Sequence, residues 1–429
     1  MKTYKNPYQL LRQKLCRRPK MEQSGLDEVV QSIFTEVEKG GDNALRQLTE
    51  RFDGVKLSLL VLSQQEVKAQ ARKVPIKLQR AIDTAFRNIH SFHELQVLDV
   101  QRERLETMPG VMCWRESRPI ERVGLYVPGG SAPLTSTVLM LGVPAQIAGC
   151  QEVVLCTPPN KDVSVEPAIC YAAQLCGIDK IYTVGGAQAI AAMTFGTKSV
   201  PKVDKIFGPG NQYVMAAKQY AVKYGLTIDM PAGPSEVMVL ADASANPAFV
   251  AADLLGQAEH GSDSQVVLVT TQNQLVPLIE KELKLQLANL PRKEIAAEAL
   301  KNSFSVVFDN LKRAIEFVNS YAPEHLILSV KNPEQLAAGV SSAGSVFLGN
   351  YSPESAGDYA SGTNHTLPTN GWARSYGGLS LDSFVKKVTF QSLSKLGLKR
   401  LSQTITTMAE AEGLQAHANA VNIRFNNKL

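Results

Sequence analysis

The sequence has 429 residues, 44% of them hydrophobic and 20% charged, with a formal net charge of +5. That length exceeds one hydrophobic core and points to about two to four domains. The small charge, with no basic stripe interleaved with aromatics, argues against a nucleic-acid partner, and no run approaches the ~18 apolar residues of a membrane span.

Met1 to Lys20 is basic but lacks an apolar core and a small-residue cleavage site, so it does not read as a secretory signal. Tyr8, Leu11 and Leu15 fall at helical spacing and predict an amphipathic arm. Leu26, Val29, Val30, Ile33, Phe34 and Val37 form a helical stripe. Gly40-Gly41 ends it, and Asp42 stands where it can cap the next helix. Ser63 and Glu66 make a capping box. A long helix follows Pro75, with Leu78, Ile82, Ala85, Phe86 and Ile89 on its apolar face. His90 and His93 near its end read as a polar helix edge or as a metal pair, and no third ligand is close in sequence.

From about residue 120 the pattern changes. Val123–Val127, Val153–Thr157, Ile181–Val184 and Lys205–Phe207 read as strands. Three of them run into glycine loops: Pro128-Gly129-Gly130-Ser131, Gly185-Gly186-Ala187-Gln188 and Gly208-Pro209-Gly210-Asn211. A helix follows each loop. This is the pattern of a doubly wound parallel sheet, whose strand ends are the usual place for a ligand. None of the loops is G-x-G-x-x-G, so a nucleotide site and plain tight turns both stand as readings. A second α/β stretch has strands at Val237–Leu240, Gln265–Thr270, Ser305–Phe308, His325–Val330 and Ser345–Leu348. From residue 385 the pattern is helical, with Leu393, Leu396, Leu401, Ile405 and Met408. The cysteines, Cys16, Cys113, Cys150, Cys156, Cys170 and Cys176, contain no CxxC pair and read as free thiols in a reducing cytoplasm.

Four places carry candidate chemistry. Gln257 and His260 are three apart and are expected on one helix face, as a structural polar pair or as one corner of a metal site. Glu324-His325 places an acid beside the side chain best suited to proton transfer near neutral pH. Neighbours on a regular strand face opposite ways, but Pro323 makes a bend plausible there. The other reading is a polar strand start. Glu354 to His365 reads as a long loop with two carboxylates, Glu354 and Asp358, and a histidine; such loops are usually functional. Glu412 and His417 lie in the final arm, either as an exposed tail or as groups delivered to another subunit. Gln257, His260, Asp358 and His417 form a set that suits Zn²⁺, although no spacing motif ties them together.

Several longer stretches stand in order along the chain: Val123-Gly-Leu-Tyr-Val-Pro-Gly-Gly130, Val184-Gly-Gly-Ala-Gln188, Phe207-Gly-Pro-Gly-Asn211, Pro231-Ala-Gly-Pro-Ser-Glu236, Gln257-Ala-Glu-His-Gly261, Pro323-Glu-His-Leu326, Gly357-Asp358, Gly362-Thr-Asn-His365 and Glu412-Gly-Leu-Gln-Ala-His417. Together they resemble the histidinol dehydrogenase family over essentially the whole length. The resemblance implies two Rossmann-like doubly wound α/β domains, similar in fold to aldehyde dehydrogenases but without their cysteine nucleophile, and small N- and C-terminal helical arms. The implied boundaries are an arm at 1–24, a first domain at 25–122 plus 237–378, an NAD-binding domain at 123–236, and a dimer-forming arm at 379–429.

The implied activity is the oxidation of L-histidinol to L-histidine through the aldehyde, with two NAD⁺, as the last steps of histidine biosynthesis. By the same resemblance, Gln257, His260, Asp358 and His417 hold zinc. Ser235, Gln257, His260, His325, Asp358, Glu412 and His417 contact substrate, and Tyr126, Gln188 and Asn211 line the NAD site. Glu324 activates water, and His325 is the general base. A homodimer partner supplies His417 and Glu412. The expected location is the cytoplasm.

Overall fold

The two stretches of apolar runs and glycine turns each supply five strands of a six-stranded sheet in the computed structural model, which describes residues 1–18, 25–97, 104–129, 134–231 and 233–425. Residues 19–24 of the expected arm, Gly130 and Ser131 of the first glycine loop, and Ala232 lie outside the described residues. In chain order the strands are β1 (Lys2–Lys5), β2 (Val61–Leu62), β3 (Arg104–Met108), β4 (Val111–Pro119) and β5 (Arg122–Tyr126). Then come β6 (Glu152–Cys156), β7 (Ile181–Tyr182), β8 (Lys205–Phe207), β9 (Thr227–Ile228) and β10 (Glu236–Ala241). The last five are β11 (Gln265–Thr270), β12 (Phe304–Val307), β13 (His325–Ser329), β14 (Ser345–Leu348) and β15 (Val385–Leu393).

The chain divides into two compact units. The larger comprises Met1–Glu94 and Ile120–Phe384 and contains both six-stranded sheets. One has the order β2-β7-β6-β5-β8-β9, with β2 antiparallel at its edge and the other strands parallel. Winding runs outward from β5 through β6 to β7, then restarts on the other side with β8, so the switch point lies between β5 and β8. The other sheet is parallel throughout, in the order β1-β12-β11-β10-β13-β14, and switches between β10 and β13. Val237, Val239, Val267 and Leu268 are fully buried, as expected of parallel strands covered on both faces. No described helix is long and apolar enough to cross a membrane.

Several expectations change. Residues 26–93, expected in the same domain as 237–378, pack instead on the 123–236 sheet. There β2 pairs with β7, and Val30, Phe34 and Leu48 share a core with Tyr126 and Val184. The N-terminal arm begins with a strand, β1, that extends the other sheet. The stripe at 26–37 continues as a helix to Asp53, broken at Gly41 by a φ of 50°. Asp42 does not cap; its carboxylate accepts hydrogen bonds from Ser199 N–H at 3.1 Å and from Ser199 Oγ at 2.6 Å. The capping box at Ser63 and Glu66 is present. His93 is not on a polar edge: it is fully buried, with Nδ1 2.8 Å from the Ile89 carbonyl oxygen.

The smaller unit comprises Leu95–Pro119 and Val385–Leu429. Its three strands are antiparallel in the order β15-β4-β3, followed by helices Lys395–Ala411 and Gln415–Asn422. The arm is therefore not helical from residue 385. The half-buried Val385, Val388 and Phe390 face the pairing pattern of a nine-residue strand before the helical spacing begins.

Candidate active site

The glycine loops lie at the carboxyl ends of β5, β7 and β8, the end at which open parallel sheets bind ligands. Tyr126 closes β5 and is buried. Its hydroxyl accepts a hydrogen bond from Gly186 N–H at 3.0 Å, which links the first loop to the second. Gln188 is buried two residues further on. Asn211 caps the helix Gln212–Ala221 and accepts from the N–H groups of Tyr213 and Val214, each at 3.1 Å. Gly208 has a φ of 123°, and a Cβ there would lie 2.1 Å from the Tyr126 carbonyl oxygen. Only glycine permits that approach of the two loop backbones.

The second cluster lies at the amino ends of β10 and β13, opposite to the usual binding edge. Ala322 takes left-handed angles of φ 54° and ψ 68°, and Pro323 follows it. This turn replaces regular strand alternation, so Glu324 and His325 reach the same cluster, with Oε2 and Nδ1 3.7 Å apart. His325 Nδ1 is 3.1 Å from the Glu236 carbonyl oxygen. In the neutral form of the ring, a proton on Nδ1 satisfies that carbonyl and leaves Nε2 with its lone pair. Nε2 is buried without a hydrogen-bond partner, 3.6 Å from Asp358 Oδ1. Glu354 Oε1 lies 3.6 Å from Nδ1. With its amide nitrogen toward Glu354, Gln257 donates to Glu354 Oε1 and accepts from Glu236 N–H at 3.0 Å.

Electrostatics follow from burial. Burial pushes Glu324 up to about 8, against the opposing effects of His325 and the Glu236 N–H. Burial alone would lower His325, but Glu354, Glu324 and Asp358 outweigh it and raise His325 to about 10. Burial also works against ionisation of Asp358; contact with His325, aided by His365 and His260, holds it below the usual carboxylate range. His325, Glu354 and Asp358 each offer a ligand atom within 4.8 Å of the others.

The histidinol dehydrogenase family model matches residues 16–425. The histidinol dehydrogenase of Bacteroides thetaiotaomicron is 53% identical over 426 residues, covering 99% of each chain. That of Xylella fastidiosa strain Temecula1 is 53% identical over 399 residues, covering 93% of this chain and 92% of its own. The crystal structure of the Elizabethkingia anophelis histidinol dehydrogenase matches with a TM-score of 0.96 at 53% identity, covering 99% of this chain and 98% of that one.

The chain belongs to the histidinol dehydrogenase family.

It is therefore an oxidoreductase, built on the α/β architecture that this family shares with aldehyde dehydrogenases. For fold alone, an aldehyde dehydrogenase from Bacillus cereus matches with a TM-score of 0.50 at 14% identity, covering 86% of this chain and 84% of that one.

Of the residues implied for this family, Gln257, Glu324, His325 and Asp358 come together in the larger unit. Ser235 immediately precedes β10, and its carbonyl accepts from Gln265 N–H at 3.1 Å. Gln257 ends within the helix Pro247–Ala258, whereas His260 lies in the turn beyond it, exposed, so the two do not share a regular helix face as expected. Asp358 acts on the His260 imidazole electrostatically. The expected long loop instead contains a helix, Glu354–Tyr359, which puts Glu354 and Asp358 one turn apart on a common face. His417 and Glu412 are exposed on the smaller unit. The sequence assigns no role to Glu236 or Arg18, and it marks Glu354 only as a carboxylate of a candidate loop.

Proposed function

We propose that this chain oxidises L-histidinol to L-histidine through L-histidinaldehyde, using two NAD⁺ and one zinc ion, as a cytoplasmic homodimer. The observation that carries this reading is the pose of His325. Nδ1 is anchored on a carbonyl, while Nε2 is buried and unpartnered beside Asp358, and Glu324 and Glu354 flank the Nδ1 side. Carboxylate oxygens and an imidazole nitrogen lie together there, and the carboxylates outnumber the imidazole, a donor chemistry that fits a divalent cation. Gln257, His260 and Asp358 would hold zinc, with His417 from the other subunit. Zinc when bound supplies a fixed positive charge that orients the substrate nitrogens and offsets the carboxylates around His325. Tyr126, Gln188 and Asn211 would line the site of NAD⁺, which when bound supplies the hydride acceptor.

His325 Nε2 takes the hydroxyl proton of histidinol as the alcohol is oxidised. Ser235 and Glu412 help hold the substrate. Glu324, whose burial makes its carboxylate a stronger base, takes a proton from water in its ionised form as the oxygen attacks the aldehyde carbon. His325 then takes a hydroxyl proton from the hydrated aldehyde, and the carboxylate of histidine forms. The domains are read as an NAD-binding sheet centred on 123–236 and a catalytic sheet centred on 237–378.

Incubation of the protein with L-histidinol and NAD⁺ is expected to yield L-histidine by amino-acid analysis. Dialysis against a chelator should abolish the yield, and zinc should restore it. No histidine from zinc-loaded protein, or full yield from verified metal-free protein, would contradict the reading.

Mixing inactive His417→Asn chains with inactive His260→Asn chains is expected to restore part of the activity, because one of the two sites in a heterodimer would then be intact. Activity absent from purified heterodimers would place His417 in an intrachain role.

A further inference from the structure

We propose that Arg18, carried in by the N-terminal arm, is a positioning residue for the Glu324–His325 pair. This rests on the reading of that pair as the proton-transfer groups. All five Arg18 N–H groups have acceptors. Nε and Nη2 form a bidentate pair with Glu236 at 2.8 and 2.7 Å. Nη1 donates to the carbonyls of Cys16 at 2.9 Å and Tyr321 at 2.8 Å, and Nη2 also reaches the Ala322 carbonyl at 3.3 Å. The guanidinium carbon lies 3.5 Å from the centroid of the Tyr321 ring. Both side chains of the ion pair are buried, at 5% and 1% exposure.

Glu236 passes this anchorage to both members of the pair. Its N–H donates to Glu324 Oε2 at 2.8 Å, and its carbonyl meets His325 Nδ1 at 3.1 Å. The parallel register of Val237 with His325 sets Glu236 beside Glu324. Arg18 also grips the carbonyls of Tyr321 and Ala322, on either side of the Ala322 nitrogen-to-carbonyl turn. That turn is left-handed at a residue with a Cβ, a conformation that persists only where its surroundings over-determine it. Without the guanidinium, Glu236 is a buried carboxylate with no counter-charge, held only by the Asn370 N–H at 2.9 Å, and the turn loses its clamp. Lysine supplies the charge but not the planar fork, so it cannot hold Glu236 and both carbonyls together.

The experiment compares kcat per folded molecule for wild type, Arg18→Lys, Arg18→Ala and His325→Asn in the zinc- and NAD⁺-supplied enzyme. Arg18→Lys is expected to lose about tenfold or more in kcat, the effect of a small misplacement of reacting groups, with KM for histidinol nearly unchanged. Guanidinium ion added to Arg18→Ala is expected to restore part of the lost kcat and to leave Arg18→Lys unaffected. Arg18→Lys with wild-type kcat overturns the inference. So does a loss that only tracks the folded fraction, or an Arg18→Ala loss that guanidinium fails to relieve. Wild-type turnover in His325→Asn sinks the reading of the pair and this inference with it. An inactive His325→Asn beside a fully active Arg18→Lys sinks the inference alone.

Discussion

His325→Asn is expected to bind histidinol and zinc almost as wild type does, while losing about 10²–10⁴-fold in both oxidations, the usual contribution of a positioned acid–base group. Asparagine keeps a donor near the Glu236 carbonyl, so the local fold should survive. It has no titratable nitrogen to occupy the place of Nε2, the atom left buried and unpartnered beside Asp358. Titration calorimetry and steady-state turnover with histidinol and with the aldehyde measure the two parts separately. Unchanged turnover would remove His325 from the chemistry. A loss confined to KM would make it a binding group.

The largest expected stability effect lies in the other sheet. The side chains of Lys218 and Asp229 are each 1% exposed and form an ion pair at 2.5 Å. Both grip Gly208: Lys218 Nζ donates to its carbonyl at 2.8 Å, and its N–H donates to Asp229 Oδ2 at 2.8 Å. Lys218→Met leaves Asp229 charged, buried and unpaired, at an expected cost of about 3–5 kcal/mol. Adding Asp229→Asn should recover much of that loss, because the amide oxygen still accepts from Gly208 while the orphan charge is gone. Denaturant midpoints of the single and double variants measure this. A single-variant effect within about 0.5 kcal/mol, the range of ordinary surface changes, would mean that the pair contributes little. The same variant is expected to weaken NAD⁺ binding, since Gly208 sits against Tyr126.

Both sheets are legible in the sequence because parallel strands covered on both faces are written as short apolar runs, and the loops between them need glycine. The bend at Pro323 is legible for a similar reason: it is a local steric effect. The 385–393 strand is harder, since its outward Lys386 and Lys387 dilute the alternation and a clear helical pattern follows. The helix at Glu354 is short, and its Ser, Gly and Asp content imitates a loop. Arg18 and Glu236 are 218 residues apart, and a long-range ion pair has no local period to betray it. The packing of 26–93 is likewise set by which sheet has an open edge beside β7, and helical stripes do not encode that choice. The four implied zinc ligands come together only through the family resemblance, because no spacing rule connects a helix end, a short helix and a terminal arm.

The most direct test of the central claim is the NADH yield from a limiting amount of L-histidinol with excess NAD⁺ and zinc-loaded protein. The account predicts two NADH for each histidinol consumed, with histidine as the product. One NADH per histidinol with the aldehyde released, or none, would contradict it.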